Sequence, residues 1–170
     1  MLAHLHVKNL ALIRETEIDF TEGLNILTGE TGAGKSILIG SMTMALGGKV
    51  SREMVREDAD YALVELVFAT DRPEIRKKLR ELDIPMEDDQ IILSRKISGS
   101  RSICRLNGET VSTAVLREVS GMLIDIHGQH EHQSLLSKRK HLEILDSYAH
   151  EQLDPVLKEL KEYYQQCRKL

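Results

Sequence analysis

A single glycine-rich loop constrains the fold of this chain more than any other feature of its sequence. The stretch LNILTGETGAGKSILI, residues 24–39, matches the pattern GxxxxGK[ST] without a mismatch. The fixed positions are filled by Gly29, Gly34, Lys35 and Ser36. Apolar residues run up to the loop and recur at helical spacing after it, which predicts a strand from Leu24 to Thr28 and a helix from Ser36 to Leu46. A strand, a glycine loop and a helix in this order indicate an α/β fold.

The loop has the chemistry of a phosphate-binding site. Glycines let backbone N–H groups turn inward around phosphates, and the following helix adds its positive N-terminal end. Lys35 can bring a mobile charge to the outer phosphates, and the Ser36 hydroxyl is placed to ligate the magnesium ion that accompanies a nucleoside triphosphate. We therefore expect a bound Mg²⁺-nucleotide. Its predicted contacts are Gly29, Glu30, Thr31, Gly32, Ala33, Gly34, Lys35, Ser36 and Ile37.

Composition sets broad limits on the class of protein. The 170 residues are 41% hydrophobic and 29% charged, enough for one domain with a buried core and an appendage. Cys104 and Cys167 lie far apart, without the spacing of a zinc site or a disulfide framework, so a reducing cytoplasm fits best. No apolar run approaches the length of a membrane span, and we expect no membrane partner.

Periodicity predicts the other elements. Two early strands are expected around a turn at Lys8-Asn9-Leu10, and later strands and helices alternate. The predicted strands are Leu2–Val7, Leu12–Phe20, Tyr61–Phe68, Gln90–Ile97, Ile103–Leu106, which enters an Asn107-Gly108 turn, and Met122–His127; the predicted helices are Pro73–Leu82, Val111–Val119 and Lys138–Ala149.

The last twenty residues carry a different repeat. Apolar residues recur there at alternating spacings of three and four, which is typical of a coiled-coil seam. These residues are Leu153, Val156, Leu160, Tyr163, Cys167 and Leu170. The alternative is an amphipathic helix that packs on its own domain.

Several stretches resemble a known family. LHVKNLALIRETEIDFTEGLNILTGETGAGKSIL resembles the start of the SMC-like branch of the ABC-type ATPases. The pieces ALGGK with REMVRED after it, SGSRSICRLNGETV and LIDIHGQHEHQSLL resemble the RecN family of bacterial recombination and repair proteins. The resemblance covers nearly the whole chain. It implies an ABC/SMC-type P-loop NTPase half-head with a mixed sheet, in which residues 1–150 form the N-terminal lobe and residues 151–170 begin a truncated coiled-coil arm.

The resemblance also assigns catalytic roles beyond Lys35. Gln129 matches a glutamine that contacts the magnesium ion and the attacking water, with Gln133 as the second candidate. The same stretch, HGQHEHQ, carries three histidines that could instead form a metal cluster or a polar surface loop. Arg56 resembles an arginine directed towards the γ-phosphate, and the alternatives are a solvated surface arginine or the same role for Arg52.

Lys8 and Asn9 resemble positions near the nucleotide base and ribose, although a Lys-Asn pair is also a common turn. The basic residues Lys138, Arg139 and Lys140, with Arg95, Lys96 and Arg101 upstream, could contact DNA phosphates or simply form charged surface.

Two motifs that such ATPases need for hydrolysis do not occur in the chain. One is an apolar run ending in Asp-Glu and the other is a Ser-Gly-Gly signature; GMLIDIHGQ offers Asp125, but Ile126 follows it and cannot act as a base. The family places both motifs after its coiled coil. We therefore expect ATP and Mg²⁺ to bind this chain without hydrolysis. The implied partners are the C-terminal half of the head, a second head in a nucleotide-sandwiched dimer, and DNA.

On this resemblance the chain works in DNA double-strand-break repair in the cytoplasm, associated with the nucleoid during repair. A stand-alone small P-loop kinase for a nucleotide or metabolite is the alternative enzyme class. A coiled-coil adaptor that has lost nucleotide binding is a third class, which the intact loop disfavours.

Overall fold

The structure is a computed structural model, and it describes residues 1–28, 33–99, 101–126, 141, 145–146 and 148–168. It divides into two compact units, Met1–Asp125 and Ile126–Leu170. In chain order the elements of the first unit are β1 (Leu2–Leu10), β2 (Ile13–Asp19), α1 (Ala33–Ala45), a short 3-10 helix (Arg52–Met54), β3 (Ala62–Ala69), α2 (Pro73–Glu81), β4 (Gln90–Ser98), β5 (Arg101–Leu106), β6 (Glu109–Val111) and α3 (Thr113–Leu123).

The strands form one six-stranded sheet in the order β2-β1-β3-β4-β5-β6. Every strand pairing in the described residues is antiparallel. Alternating residues of each central strand point to the core, as Val64, Leu66 and Phe68 of β3 do. The α/β class is thus confirmed, whereas the sheet, which was expected to be mixed, is antiparallel throughout its described strands.

Helices cover the apolar face of the sheet. Helix α1 contacts β1, β3 and β4, helix α3 contacts β5, and α2 contacts α3. Met44 and Ala45 of α1 and Leu116 of α3 are fully buried in the shared core. Burial of such large apolar side chains contributes roughly 1.5 to 3 kcal/mol each, so the core fixes the position of α1 against the sheet.

Turn residues confirm one predicted hairpin and correct another. Asn107 and Gly108 have φ of +47° and +86°, the left-handed pair that a tight β5–β6 turn needs. The first turn is not at Lys8-Asn9-Leu10, because β1 continues through Leu10 and the chain turns at residues 11–12. Asn9 still has a left-handed φ of +53° inside the strand.

Two predicted strands are absent from the described residues. The segment Leu24–Thr28 has no regular structure, and Leu24 and Ile26 are 85% and 72% exposed. Its apolar residues are typical of a buried strand, but a strand forms only beside a partner, and none of the described strands pairs with it. The predicted strand Met122–His127 is also wrong where it is described: α3 runs through Leu123, residues 124–126 are irregular, and His127 lies outside the described residues.

The remaining predicted elements agree with the structure to within a few residues. The helix predicted from Val111 begins instead at Thr113, because Val111 ends β6 and Ser112 is the N-cap, whose side chain accepts a hydrogen bond from the Val115 N–H at 3.3 Å. Most of the predicted helix Lys138–Ala149 lies outside the described residues.

The second unit contains helix α4 (His150–Cys167). Three of its seam residues are open to solvent, since Val156, Leu160 and Tyr163 are 59%, 62% and 59% exposed, whereas Leu153 is half-buried. Within the described residues, no helix has the length and apolar character that a membrane crossing requires.

Candidate nucleotide-binding site

Helix α1 presents the described end of the glycine loop. It begins at Ala33, so Gly34, Lys35 and Ser36 lie in its first turn, where they are exposed, and Ile37 is half-buried in the second. The other loop residues, Gly29, Glu30, Thr31 and Gly32, lie outside the described residues. The predicted loop-to-helix order is thus confirmed on its helical side.

The start of α1 fits an anionic ligand. The first N–H groups of a helix have no partner within it, and they carry the positive end of the helix dipole. The first turn of α1 contains no acidic side chain that would compete for this end. A Cβ atom built on Gly34 would meet no other atom within 4 Å, so packing against the protein does not require glycine there and the space beside it is open. A helix start of this kind is the type of structure that binds phosphate oxygens through backbone N–H groups.

A buried arginine holds the opposite end of α1. Arg95 of β4 is only 4% exposed, and its Nη1 donates to the carbonyl oxygens of Met44 at 2.8 Å and Gly48 at 2.6 Å. Its Nε donates to the Ser102 hydroxyl on β5 at 2.8 Å. Burial lowers the pKa of the Arg95 guanidinium below its ordinary value, because the charged form loses solvation. A positive group at a helix C-terminus is favourable, so Arg95 ties α1 to the sheet.

Helix α3 adds two more contacts at the same end. Arg117 Nε donates to the Gly47 carbonyl at 2.7 Å, and the Ser120 hydroxyl donates to the Leu46 carbonyl at 3.0 Å. Gly47 has a φ of +98°, and the Gly48 N–H donates to the Thr43 carbonyl at 2.9 Å, which closes the helix in the manner of a glycine C-cap. Helix α1 is therefore fixed at its C-terminus by both the sheet and α3.

The sequence suggested that Arg95 could contact DNA phosphates. This prediction is wrong, because Arg95 is buried. The signal was present in the sequence. Arg95 occupies the inward-facing position of IILSRKIS, in step with Ile91, Leu93 and Ile97, and an arginine at such a position needs buried acceptors.

A second group of predicted residues lies beside β1. The backbone N–H of Arg56 donates to the Asn9 carbonyl at 3.1 Å, and its Nη1 donates to the Leu12 carbonyl at 3.3 Å. Lys8 precedes Asn9 on the same strand. The structure thus brings Asn9 and Arg56 together, and β1, which carries Asn9, also contacts α1.

Carboxylates hold both cations of this second group. Arg56 contacts the two Asp58 oxygens through Nε at 2.8 Å and Nη2 at 3.0 Å, and this hydrogen bonding lowers the pKa of Asp58. Lys8 Nζ lies 3.0 Å from each Glu15 oxygen, and the pKa of Glu15 is lowered by that bond and by one from His6. A phosphate or ribose contact by Lys8 or Arg56 would compete with these carboxylates.

The predicted magnesium and water ligand Gln129 lies outside the described residues, as do Gln133 and the histidines His127, His130 and His132. Across the described part of the chain, no group of three or more His, Cys, Asp or Glu side chains is arranged to hold a metal ion. Ser36 is therefore the only predicted magnesium ligand whose position is described.

Curated relatives resemble nearly the whole chain. It is 44% identical over 168 residues to the DNA repair protein RecN of Halalkalibacterium halodurans and 42% identical over 172 residues to that of Bacillus subtilis. These alignments cover 98% and 100% of the chain but only 30% of each relative. The resemblance to the RecN family is confirmed, and the chain spans about a third of the length of the relatives it matches.

Solved structures share its fold. A chain from a study of ATP-driven dimerization and DNA-stimulated activation of SMC ATPases aligns with a TM-score of 0.61 and 19% identity, covering 85% of this chain and 97% of that one. The Smc head domain of Pyrococcus furiosus with an extended coiled coil aligns with a TM-score of 0.61 and 18% identity, over 99% of this chain and 48% of that one. The recombination mediator RecF aligns with a TM-score of 0.54 and 19% identity, over 68% of this chain and 29% of that one.

These similarities do not support the small-kinase alternative. A family model described as an AAA domain matches residues 4–170. The chain therefore belongs to the AAA domain family of P-loop ATPases.

Proposed function

We propose that this chain is the ATP-binding N-terminal part of an SMC-like head in a RecN-like protein of DNA double-strand-break repair. The observation that carries the proposal is the exposed GKS triplet in the first turn of α1, in a chain that resembles RecN along its length. Residues 1–150 would form the N-terminal lobe, and residues 151–170 would begin the coiled-coil arm. The cytoplasm, with nucleoid association during repair, is the compartment that this function implies.

Lys35 and Ser36 have distinct tasks in this proposal. The Lys35 ammonium would neutralise charge on the outer phosphates, and the Ser36 hydroxyl would hold the magnesium ion. A bound Mg²⁺-ATP supplies the phosphoryl group, and the backbone N–H groups around Gly34 fix its orientation. Gln129, with Gln133 as the second candidate, is proposed to ligate magnesium and orient water.

Arg56 is proposed to act at the γ-phosphate, and Lys8 and Asn9 near the base and ribose. Asn9 and Arg56 are already joined through a backbone hydrogen bond. Asp58 now takes two of the five N–H donors of the Arg56 guanidinium, so a phosphate would compete with this carboxylate for Arg56. Arg52, in the neighbouring 3-10 helix, is the alternative arginine.

Hydrolysis is proposed to need other parts of the protein. The chain lacks both the Asp-Glu pair and the Ser-Gly-Gly signature, which polarise water and close the site. The exposed apolar residues Leu24 and Ile26 support the same proposal, since a strand from a C-terminal half would give this segment a partner. The proposed partners are that C-terminal half, a second head across the nucleotide, and DNA.

A reconstitution experiment tests this proposal. The purified chain should hydrolyse ATP at background rate, and addition of a separately produced C-terminal half should restore turnover. With Gln129→Ala in the mixture, turnover should fall much more than ADP affinity, because the amide acts on magnesium or water. Gln133→Ala is the matched variant.

Rapid hydrolysis by the chain alone would contradict the proposal that hydrolysis needs the C-terminal half, and it would favour a small stand-alone enzyme. Unchanged turnover with Gln129→Ala would move the role to Gln133. Elemental analysis of the wild-type chain tests whether the three histidines form a metal site instead. About one zinc per chain, lost in His127→Ala and His130→Ala, would show a zinc site in place of the proposed role of Gln129.

A further inference from the structure

The outer face of the sheet, opposite the core, carries a cluster of three cations on two adjacent strands. Lys96 lies on β4, and Arg101 and Arg105 lie on β5. In the strand register Arg105 pairs with Ser94, Ile103 with Lys96 and Arg101 with Ser98. All three cations are exposed and line one shallow cleft together with Tyr61, Leu63, Glu65, Ser94, Ser98 and Ile103. We call this surface the basic face.

The cations of the basic face differ in their pairing from several other cations of the chain. Elsewhere, Lys8 pairs with Glu15, Arg56 with Asp58 and Lys78 with Glu118. Among the residues the structure describes, no carboxylate lies within ion-pair distance of Lys96, Arg101 or Arg105.

Lys96 contacts an aromatic ring instead: its Nζ lies 4.1 Å from the centroid of the Tyr61 ring. Among the described residues that line the cleft, Glu65 is the one acidic residue. The face therefore carries a net positive charge on a chain whose formal charge is -4. Local charge of this sign favours an anionic partner.

The spacing of the cations fits a polymer of phosphates better than one small anion. Arg101 and Arg105 are four residues apart on one strand, which is roughly 13 Å at about 3.4 Å per residue. That span equals about four base-pair steps of duplex DNA, where each strand places one phosphate per about 3.4 Å of axis. Lys96 lies between them on the neighbouring strand, about 5 Å to one side.

We propose that the basic face binds the phosphate backbone of duplex DNA without reading its sequence. The proposal rests on the proposed function, in that it gives the DNA partner a place on this chain. Strands β4 and β5 hold the three cations in fixed register, and the Tyr61 ring orients Lys96. The exposed Ile103 between the cations offers no base-reading group, so affinity comes from charge.

The test is fluorescence anisotropy of the 170-residue chain with a labelled duplex of arbitrary sequence, in salt from 50 to 200 mM. The test variant is Lys96→Gln/Arg101→Gln/Arg105→Gln. A matched control removes the same charge from other exposed sites through Arg14→Gln/Lys77→Gln/Arg80→Gln. A second variant, Arg101→Lys/Arg105→Lys, keeps the charge and separates its effect from a change in folding.

Three phosphate contacts predict that the slope of log affinity against log salt is about 2.7 units steeper for wild type than for the triple Gln variant. Over this salt range the wild type should therefore lose about 40-fold more affinity than the triple Gln variant. The control and the Lys variant should bind as wild type does.

Equal slopes for wild type and the triple Gln variant would overturn the proposal, as would absence of duplex binding at 50 mM salt. Preference for a single strand or for an acidic peptide over the duplex would replace the duplex assignment. Mg²⁺-ATP binding, measured on the same preparations, separates the two proposals. If no preparation binds Mg²⁺-ATP, the proposed function is contradicted. If the wild type binds Mg²⁺-ATP but not duplex DNA, only the proposal about the basic face is contradicted.

Discussion

At the scale of single residues, Arg95 links the sheet to the C-terminal end of α1. It is buried, it carries a charge, and it reaches two carbonyl oxygens at the end of α1. Its partners are neutral dipoles, since none of the described carboxylates pairs with it. Such a group is costly to bury unless every donor finds an acceptor. The position of Lys35 and Ser36 at the other end of α1 thus depends indirectly on a residue of β4.

Replacing Arg95 should therefore destabilise the fold. Arg95→Ala removes three hydrogen bonds, among them those to the Met44 and Gly48 carbonyls, and leaves the Met44 carbonyl with only the bond from the Gly47 N–H. We therefore expect the free energy of unfolding in urea to fall by roughly 2 to 4 kcal/mol. Arg105→Ala on the adjacent strand is the control, because Arg105 is exposed, and its effect should stay within about 0.5 kcal/mol. Equal stability of the two variants would show that Arg95 does not hold α1.

At the scale of elements, sequence periodicity predicted what depends on local pattern. Alternation identified β3 and β4 to within a residue or so, and the glycine loop identified α1. Leu24–Thr28 shows the limit, because an apolar run can be a strand only if another strand lies beside it, and sequence does not supply that strand. Arg95 shows a second limit, since its acceptors lie 47 and 51 residues away in the chain.

Helix α4 carries a further prediction about the seam. Cys167 lies on the seam and is exposed, whereas Cys104 is 3% exposed. If α4 begins a coiled-coil arm, a partner helix from the C-terminal half will cover the Cys167 thiol. Maleimide labelling of the chain should thus modify Cys167 rapidly and Cys104 slowly, and addition of the C-terminal half should slow labelling of Cys167 at least tenfold.

Cys167→Ser is the control that assigns the rapid phase of labelling. The exposed Lys158, on the helix face opposite the seam, offers a second control, labelled through Lys158→Cys in the Cys167→Ser background. Labelling at Lys158→Cys should change little when the C-terminal half is added. Equal protection at both positions, or none at Cys167, would favour an amphipathic helix without a coiled-coil partner.

At the scale of the whole molecule, the proposed function gives the chain one side of a nucleotide site. The antiparallel sheet positions α1, and α1 presents Lys35 and Ser36 at its exposed start. The family could be predicted from sequence because its motifs are local and nearly unbroken. The site as a whole could not be predicted from sequence, because Arg56 and Lys8 pair with carboxylates that no sequence motif indicates. The relatives, of which the chain covers 30%, are long enough to supply what it lacks.

Isothermal titration calorimetry of the 170-residue chain with Mg²⁺-ATP and Mg²⁺-ADP tests the central claim most directly. The wild type should bind either nucleotide. Lys35→Ala removes a charge-assisted contact and should weaken binding by roughly 1.5 to 3 kcal/mol, or more than tenfold. Lys49→Ala, at an exposed lysine just beyond α1, should leave affinity unchanged. Equal affinity of the wild type and Lys35→Ala, or no binding by the wild type, would contradict the account.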